Sequence, residues 1–482
     1  MTRANFNQTA RPLVTDLDGT LIRADLLSEG VFQILRQRPW RLPGLLLALL
    51  RGRPAFKARV ARESEIDPAS LPWNETVVAF LRAERARGRP VWLATASHRS
   101  LADVVAGHLG LFDRVLATTD HDNIKGVRKR AVLLDEAPDG FDYIGDSDAD
   151  MPLFTAARRA WTVGPYAERL ARRASARGSA VEPLPGAEPV RSSPAALIRL
   201  LRPHQWLKNG LVLLPLVAGH RWSESGVVMH TVAAFAAFCL IASSAYVLND
   251  LLDVEYDRLH PRKRQRPIAS GAVPQLLALS LFPALLLAGG AIGLLLSFRV
   301  AAVLLGYFVL TTLYSIVLKR VALLDILTLT VLYSTRILAG GVATGIHLSY
   351  WLIGFALFLF FALAVMKRVT EVRELSANGK TVAAGRGYRA GDEQLLLPLG
   401  IACSVTAAVV FGLYTTSPDV HQLYSRPSSL LLVVPLILFW QCSLWLATIR
   451  DRMHDDPLVF AVRDPVTWAM VAAAAVLFVA AL

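Results

Sequence analysis

From residue 211 onward, apolar runs of about 20 residues succeed one another with short charged breaks, and no other feature constrains the fold as strongly. A helix rises about 1.5 Å per residue, so each run is long enough to cross the roughly 30 Å hydrocarbon core of a bilayer. The pattern predicts nine spans, at about 205–221, 228–248, 275–297, 300–318, 322–344, 350–366, 395–415, 429–448 and 467–482. The first is the weakest, being short and carrying Lys208 and Asn209. With 54% hydrophobic residues, the composition excludes a wholly soluble chain.

Charge placement orients the spans, because Lys and Arg are retained on the cytoplasmic side. With the N-terminus inside, the inner loops hold sixteen Lys and Arg and the outer loops three. The expectation is a multi-pass protein of a bacterial-type cytoplasmic (inner) membrane, its charged motifs facing the cytoplasm. No signal peptide is expected, since "MTRANFNQTARP" has no apolar core. Cys239, Cys403 and Cys442 lie in predicted spans without metal-ligand spacing, so neither disulfides nor zinc are indicated. The net charge of +13 is concentrated in inner loops, which points to anionic membrane lipids and phosphorylated substrates rather than nucleic acid.

The first part of the chain reads differently. "PLVTDLDGTL" is a short strand running into Asp16-Leu17-Asp18, and "PVWLATAS", "RVLATT", "FDYIGD" and "RAWTVG" are further strands between helical stretches. That alternation predicts a parallel sheet with helices on both faces, whose reactive groups gather at the carboxyl ends of the strands. Asp16, Thr95 and Asp146 fall at such ends. Their chemistry suits phosphoryl transfer. Asp16 is a candidate nucleophile and Asp18, two residues on, a candidate general acid and base. Asp16, Asp146 and the Asp18 carbonyl offer hard oxygen ligands to Mg²⁺, with Asp150 in support. Thr95 and Lys125 offer a hydroxyl and a cation to the phosphoryl oxygens, and Lys129 is the substitute for Lys125.

These motifs, DLDGT at 16–20, LATAS at 93–97, Lys125 in IKG and GDSDAD at 145–150, resemble the haloacid dehalogenase-superfamily phosphatases over residues 10–165. The resemblance implies a soluble α/β Rossmann-like domain over residues 1–165, with a helical cap at about 22–88. Within the cap, "LPGLLLALL" at 42–50 is too short to cross a bilayer. It reads as the buried face of a cap helix or, with its basic flanks, as a helix touching the inner leaflet. Residues 166–195 read as a linker.

Residues 196–482 form the predicted all-α membrane domain, and its densest motif is "NDLLDVEYDRLHPRKRQRP" at 249–267. Asp250, Asp253 and Asp257 stand at i, i+3 and i+7, on one helical face with Asn249 beside them. Like charges on one face repel, which suggests a bound cation; the other reading is a solvated acidic helix end. "LRPHQWLKNG", "YSIVLKR" at 314–320 and "VMKRVTEVREL" at 365–375 are the other charged motifs. Lys367 and Glu371 are i, i+4 neighbours and read either as a local salt bridge or as parts of an anion site. Asp325 and Arg336 share one span about three turns apart, so Arg336 needs a cavity or a partner.

Together these motifs resemble the UbiA-type intramembrane prenyltransferases, and the pattern RPxQWxKN, NDxxDxxxD and KRxxE resembles one branch, the decaprenyl-phosphate phosphoribosyltransferases. The resemblance implies Mg²⁺ held by Asn249, Asp250, Asp253 and Asp257. It further implies a phosphorylated donor and acceptor held by Lys208, Asn209, Arg258, Lys263, Arg264, Arg266, Tyr314, Lys319, Arg336, Lys367, Arg368 and Glu371. The implied reaction moves 5-phosphoribose from phosphoribosyl diphosphate to a polyprenyl phosphate, and the soluble domain then removes the 5′-phosphate. The alternatives are a prenyltransferase using prenyl diphosphate with an aromatic or lipid acceptor, and a lipid-phosphate carrier with a regulatory soluble domain.

Overall fold

Leu13–Thr15 is a fully buried three-residue strand, β1, and its alternation places successive side chains on opposite faces of a sheet. Leu13 packs with Val77, Leu93 and Leu101 on one face, and Val14 with Leu133, Tyr143 and Phe154 on the other. Both faces are therefore covered, as an all-parallel sheet requires. The strands Val91–His98 (β2), Arg114–Thr118 (β3), Asp142–Gly145 (β4), Ala160–Thr162 (β5) and Val181–Pro183 (β6) complete it in the order β3-β2-β1-β4-β5-β6, every pair parallel. Val14 is opposite Trp92 on one side and Tyr143 on the other.

The computed structural model describes residues 11–482 apart from 120–121, 187–192, 262, 378, 380–385 and 454–455. The chain divides into one unit reaching Leu201 that also takes in Tyr246–Leu281, and a second of Arg202–Ala245 with Phe282–Leu482. In the first unit the earlier part of the stretch read as a linker instead continues the sheet domain, with helix Ala167–Ser175 and β6, while 187–192 lie outside the described residues. A three-residue strand ending in proline carries too little pattern to be seen in the sequence. The cap is helical, with Leu26–Gln37, Leu42–Leu50 and Arg53–Glu63 packed through Ile34, Leu45 and Val60.

Among the described residues, seven helices are long and apolar enough to cross a membrane: Ser225–Leu252, Gln275–Leu296, Phe298–Ile316, Leu324–Thr344, Tyr350–Ala377, Ala390–Tyr414 and Pro427–Ile449. An eighth is present if Pro457–Arg463 and Pro465–Ala481, bent by 79°, form one broken span. The expected span at 205–221 is instead a 3-10 segment, Pro203–Leu213, followed by the short helix Leu214–Ala218. Pro203, Pro215 and Gly219 interrupt the ladder there. In the second unit, Gly340 of Leu324–Thr344 lies against this segment so closely that a Cβ would stand 2.1 Å from the Val212 carbonyl oxygen. That approach brings Asn209 and Arg336 together.

Candidate active sites

Strand order reverses around β1, and the carboxyl ends of β1 and β4 open a crevice of the kind in which open α/β sheets bind ligands. Asp16, Asp18, Ser97, Lys125, Lys129, Asp146 and Asp150 line a cavity of about 580 Å³ there. Asp16, Asp146 and Asp150 each offer an oxygen, all within 4.8 Å of one another. Gly19, with φ of +78°, makes this possible, because a Cβ would fall 2.1 Å from Asp146 Oδ2.

Crowded, buried carboxylates favour their neutral forms. Burial pushes the Asp16 carboxyl up to about 6 against the pull of Lys129, and Asp150 adds to the rise. Asp146 is raised well above the usual range by burial and then by Asp16 and Asp150. Burial and then Asp25 push Asp18 up to about 7. The Leu26 N–H donates to Asp18 Oδ1 at 2.8 Å, and the Ser97 hydroxyl to Oδ2 at 2.6 Å. A carboxyl protonated near neutrality and held at a cavity wall is equipped to give a proton to a leaving oxygen.

The geometry separates the two candidate lysines. Lys129 Nζ is 2.8 Å from Asp16 Oδ1, 2.8 Å from the Tyr143 hydroxyl and 3.8 Å from Asp150 Oδ1. Burial opposes its charge, yet Asp16 and Asp150 hold its pKa above the usual lysine value. Lys125 lines the same cavity. Thr95 is fully buried and does not reach the wall; its hydroxyl accepts from the Ser97 N–H at 2.9 Å. Three groups missed in the sequence complete the site. Ser97 supplies the hydroxyl, the Tyr143 hydroxyl donates to Asp150 at 2.8 Å, and the cap's Lys57 donates to the Ala96 carbonyl at 2.9 Å.

In the aspartate-rich stretch the helix Ser225–Leu252 gives way at Asp253 to Val254–Leu259. Backbone bonds from Asp253 N to Asn249 O and from Asp257 N to Asp253 O, both 2.9 Å, keep the helical path across the break. Arg266 Nη1 lies 3.2 Å from Asp250 Oδ1 and 2.6 Å from Asp257 Oδ2, while Asn249 donates to Asp253 at 3.1 Å. Burial raises the Asp257 pKa and Arg266 opposes the rise. Arg266 thus stands as a cation between two of the carboxylates. Lys263 and Arg264 are exposed in a 3-10 turn. Arg258 turns elsewhere, donating to Glu29 Oε1 at 2.6 Å and the Ala269 carbonyl at 3.1 Å.

The second unit gathers its charges by pairings invisible in the sequence. Lys208 Nζ and Lys367 Nζ both donate to Asp456 Oδ2, at 2.7 and 3.1 Å, and the Tyr333 hydroxyl joins at 3.2 Å. Burial pushes the Asp456 carboxyl up, but Lys367 and Lys208 together hold it well below the usual carboxylate range. The local bridge from Lys367 to Glu371 is therefore not formed: Glu371 pairs with Arg368 and, at 3.0 Å, with Arg386. Asp325 pairs with Arg368 at 2.8 Å and accepts from Tyr388, not with Arg336. Arg336 donates to Asn209 at 3.0 Å and Tyr307 at 3.1 Å, among the rings of Phe238, Tyr307 and Tyr333. Tyr314 accepts weakly from Arg368 at 3.4 Å, and Lys319 is half-buried in the turn Leu318–Arg320.

A parallel-sheet α/β domain and a multi-pass helical membrane domain are joined in one chain. Residues 212–464 match the UbiA prenyltransferase family and residues 13–155 the haloacid dehalogenase-like hydrolases, so the chain belongs to the UbiA prenyltransferase family and carries an N-terminal haloacid dehalogenase-like domain. It is 37% identical to uncharacterized protein y4nM of Sinorhizobium fredii over 474 residues, covering 98% of this chain and 91% of that one. Over 266 residues it is 32% identical to nodulation protein NoeC of Azorhizobium caulinodans, covering 55% and 85%. Over 244 residues it is 37% identical to the decaprenyl-phosphate phosphoribosyltransferase of Mycolicibacterium smegmatis, covering 49% and 76%.

Proposed function

We propose that the chain is a two-step enzyme that transfers 5-phosphoribose from phosphoribosyl diphosphate to a polyprenyl phosphate and then removes the 5′-phosphate. The observation that carries the first step is the partly buried cluster in which Lys208, Lys367 and Tyr333 converge on one carboxylate oxygen. Such a cluster offers an anion three donors, and a phosphate oxygen is a better-charged occupant than Asp456. The similarity to decaprenyl-phosphate phosphoribosyltransferases, whose name specifies a lipid phosphate acceptor, supports the same reading.

In this reading the C1–oxygen bond to diphosphate breaks, a C1–oxygen bond to the lipid phosphate forms, and diphosphate departs. Asp250, Asp253 and Asp257 with Asn249 would hold Mg²⁺, which supplies charge for the leaving diphosphate. Lys263, Arg264 and Arg266 neutralise the donor phosphates. In the second step Asp16 attacks phosphorus, Asp18 gives its proton to the departing ribose oxygen, and water then releases inorganic phosphate from the aspartyl group. Asp16, Asp146 and the Asp18 carbonyl, with Asp150 behind them, would hold the Mg²⁺ of this site. Lys129 and Ser97 hold the phosphoryl oxygens. Both sites would face the cytoplasm, where phosphoribosyl diphosphate is available.

The test supplies phosphoribosyl diphosphate and polyprenyl phosphate to the purified chain and separates the lipid products. Wild type should yield the plain ribosyl lipid, Asp16→Asn the 5′-phosphorylated one, and Asp250→Asn neither. If wild type and Asp16→Asn leave the same fraction of 5′-phosphate, the two-step reading fails.

A further inference from the structure

The cap helix Leu42–Leu50 is built mostly of leucine, yet among its described side chains only Leu45 and Ala48 are buried, three residues apart and against Ile34 and Val60. Leu46, Leu47 and Leu50 stand on the opposite side at 57%, 59% and 85% exposure, with Leu49 at the edge and Trp40 in the preceding turn at 71%. Contiguous exposed leucines of this kind mark an interaction surface rather than ordinary surface scatter. The charge around them suits an anionic surface: from Arg36 to Arg62 the sequence carries eight Lys and Arg and no acidic residue, and of these Arg38 pairs with Glu65 and Arg41 and Arg59 with Glu63. Arg41 and Arg51 bracket the helix itself, and Arg51 is exposed.

We propose that this helix lies in the surface of the membrane that the chain spans, with Trp40, Leu46, Leu47 and Leu50 in the headgroup and acyl boundary and the exposed Arg51 at the anionic headgroups. Nine residues extend only about 14 Å, so the helix lies on the leaflet and does not cross it. Its basic, apolar composition suits that interface, where leucine burial and charge attraction act together. The contact also bears on the phosphatase site. Gly52, with φ of +109°, turns the leucine helix directly into Arg53–Glu63, whose Pro54 and Lys57 line the cavity of Asp16. One arm of this helical hairpin is thus in lipid and the other at the cavity, an arrangement that takes a phosphoester borne on a lipid.

The proposal is tested on the full chain in nanodiscs of phosphatidylcholine and phosphatidylglycerol, with Cys239, Cys403 and Cys442 replaced by serine. A nitrobenzoxadiazole label is placed on Leu46→Cys, on Leu50→Cys, or on Tyr166→Cys as a reference that is 60% exposed. Doxyl-labelled lipid should quench the two cap positions at least threefold more than the reference, and aqueous iodide correspondingly less. Equal quenching at all three positions overturns the proposal. Shielding of the cap positions from both iodide and doxyl lipid also overturns it, because a protein surface, such as a second copy, then covers the leucines. A functional arm rests on the two-step reading: Leu46→Glu with Leu47→Glu and Leu50→Glu should slow phosphate release from the lipid product at least tenfold and leave hydrolysis of a soluble phosphate ester unchanged. If wild type makes no lipid product, the quenching arm still decides the proposal.

Discussion

Lys129 Nζ lies 2.8 Å from Asp16 Oδ1 across 113 residues of sequence, and only 4% of the lysine side chain is exposed. In the proposed reaction a cation so placed neutralises charge on a phosphoryl group carried by Asp16. Lys129→Met should therefore lower hydrolysis of a soluble phosphate ester by about 10²–10³-fold, the usual loss for one donor in a preorganised anion site. Lys125→Met should cost at most about tenfold. Steady-state phosphate release decides, and a larger loss from Lys125→Met would reverse the assignment.

How far this site was legible depends on the distance over which each pairing acts. Asp16, Asp18, Asp146 and Asp150 sit in short motifs at strand ends, and the alternation of strands and helices places those ends together. Lys125 and Lys129 are four residues apart at the start of one helical stretch, and only the packing of Val127–Glu136 turns Lys129 toward the sheet. Thr95 and Ser97 present the same difficulty: both are hydroxyls at the end of β2, where the register shifts after Thr95, and Ser97 is the one that lines the cavity. In the membrane half the apolar runs revealed seven of the nine expected spans among the described residues, whereas 205–221 is a 3-10 segment and a short helix. The partners of Lys208, Lys367 and Arg336 did not show, because they come from segments 248, 89 and 127 residues away.

Gly19 provides a test confined to the soluble site. Its φ of +78° and the 2.1 Å approach of Asp146 Oδ2 to any added Cβ leave no room for alanine. Gly19→Ala should displace Asp146 and abolish phosphate-ester hydrolysis, at least 10²-fold, while the chain still inserts with normal helicity. Phosphatase assay beside far-ultraviolet circular dichroism separates loss of the site from loss of the fold.

Glu29 carries a structural burden that its place outside every motif conceals. Its Oε1 accepts from Arg258 Nη2 at 2.6 Å and from Gln275 Nε2 at 2.7 Å, with both charged side chains almost wholly buried. Arg258 in turn holds the Ala269 carbonyl, so the loop bearing Arg266 is tied to helix Leu26–Gln37. Glu29→Gln leaves a buried guanidinium without its counter-charge, a change costing on the order of 3–5 kcal/mol when a buried pair is broken on one side. Hydrogen exchange in 258–275 should rise. Adding Arg258→Met should give a double variant less perturbed than the two single losses summed, and strict additivity would mean the pair is not coupled.

Asp456 poses the same question inside the second unit, with a different expected answer. Asp456→Asn removes the negative charge that Lys208 and Lys367 share, leaving two ammonium groups beside each other without a counter-charge. Because the Lys367 side chain keeps 30% exposure, water recovers part of the loss, and the cost should fall near or below about 3 kcal/mol. The apparent melting temperature in detergent should drop accordingly. The two lysines should then seek another anion, so inorganic phosphate or diphosphate should restore more of the melting temperature to Asp456→Asn than to wild type. Adding Lys208→Met to the variant should remove that rescue. If the variant melts lower and no phosphate species rescues it, the cluster is a structural ion pair and the lipid phosphate binds elsewhere.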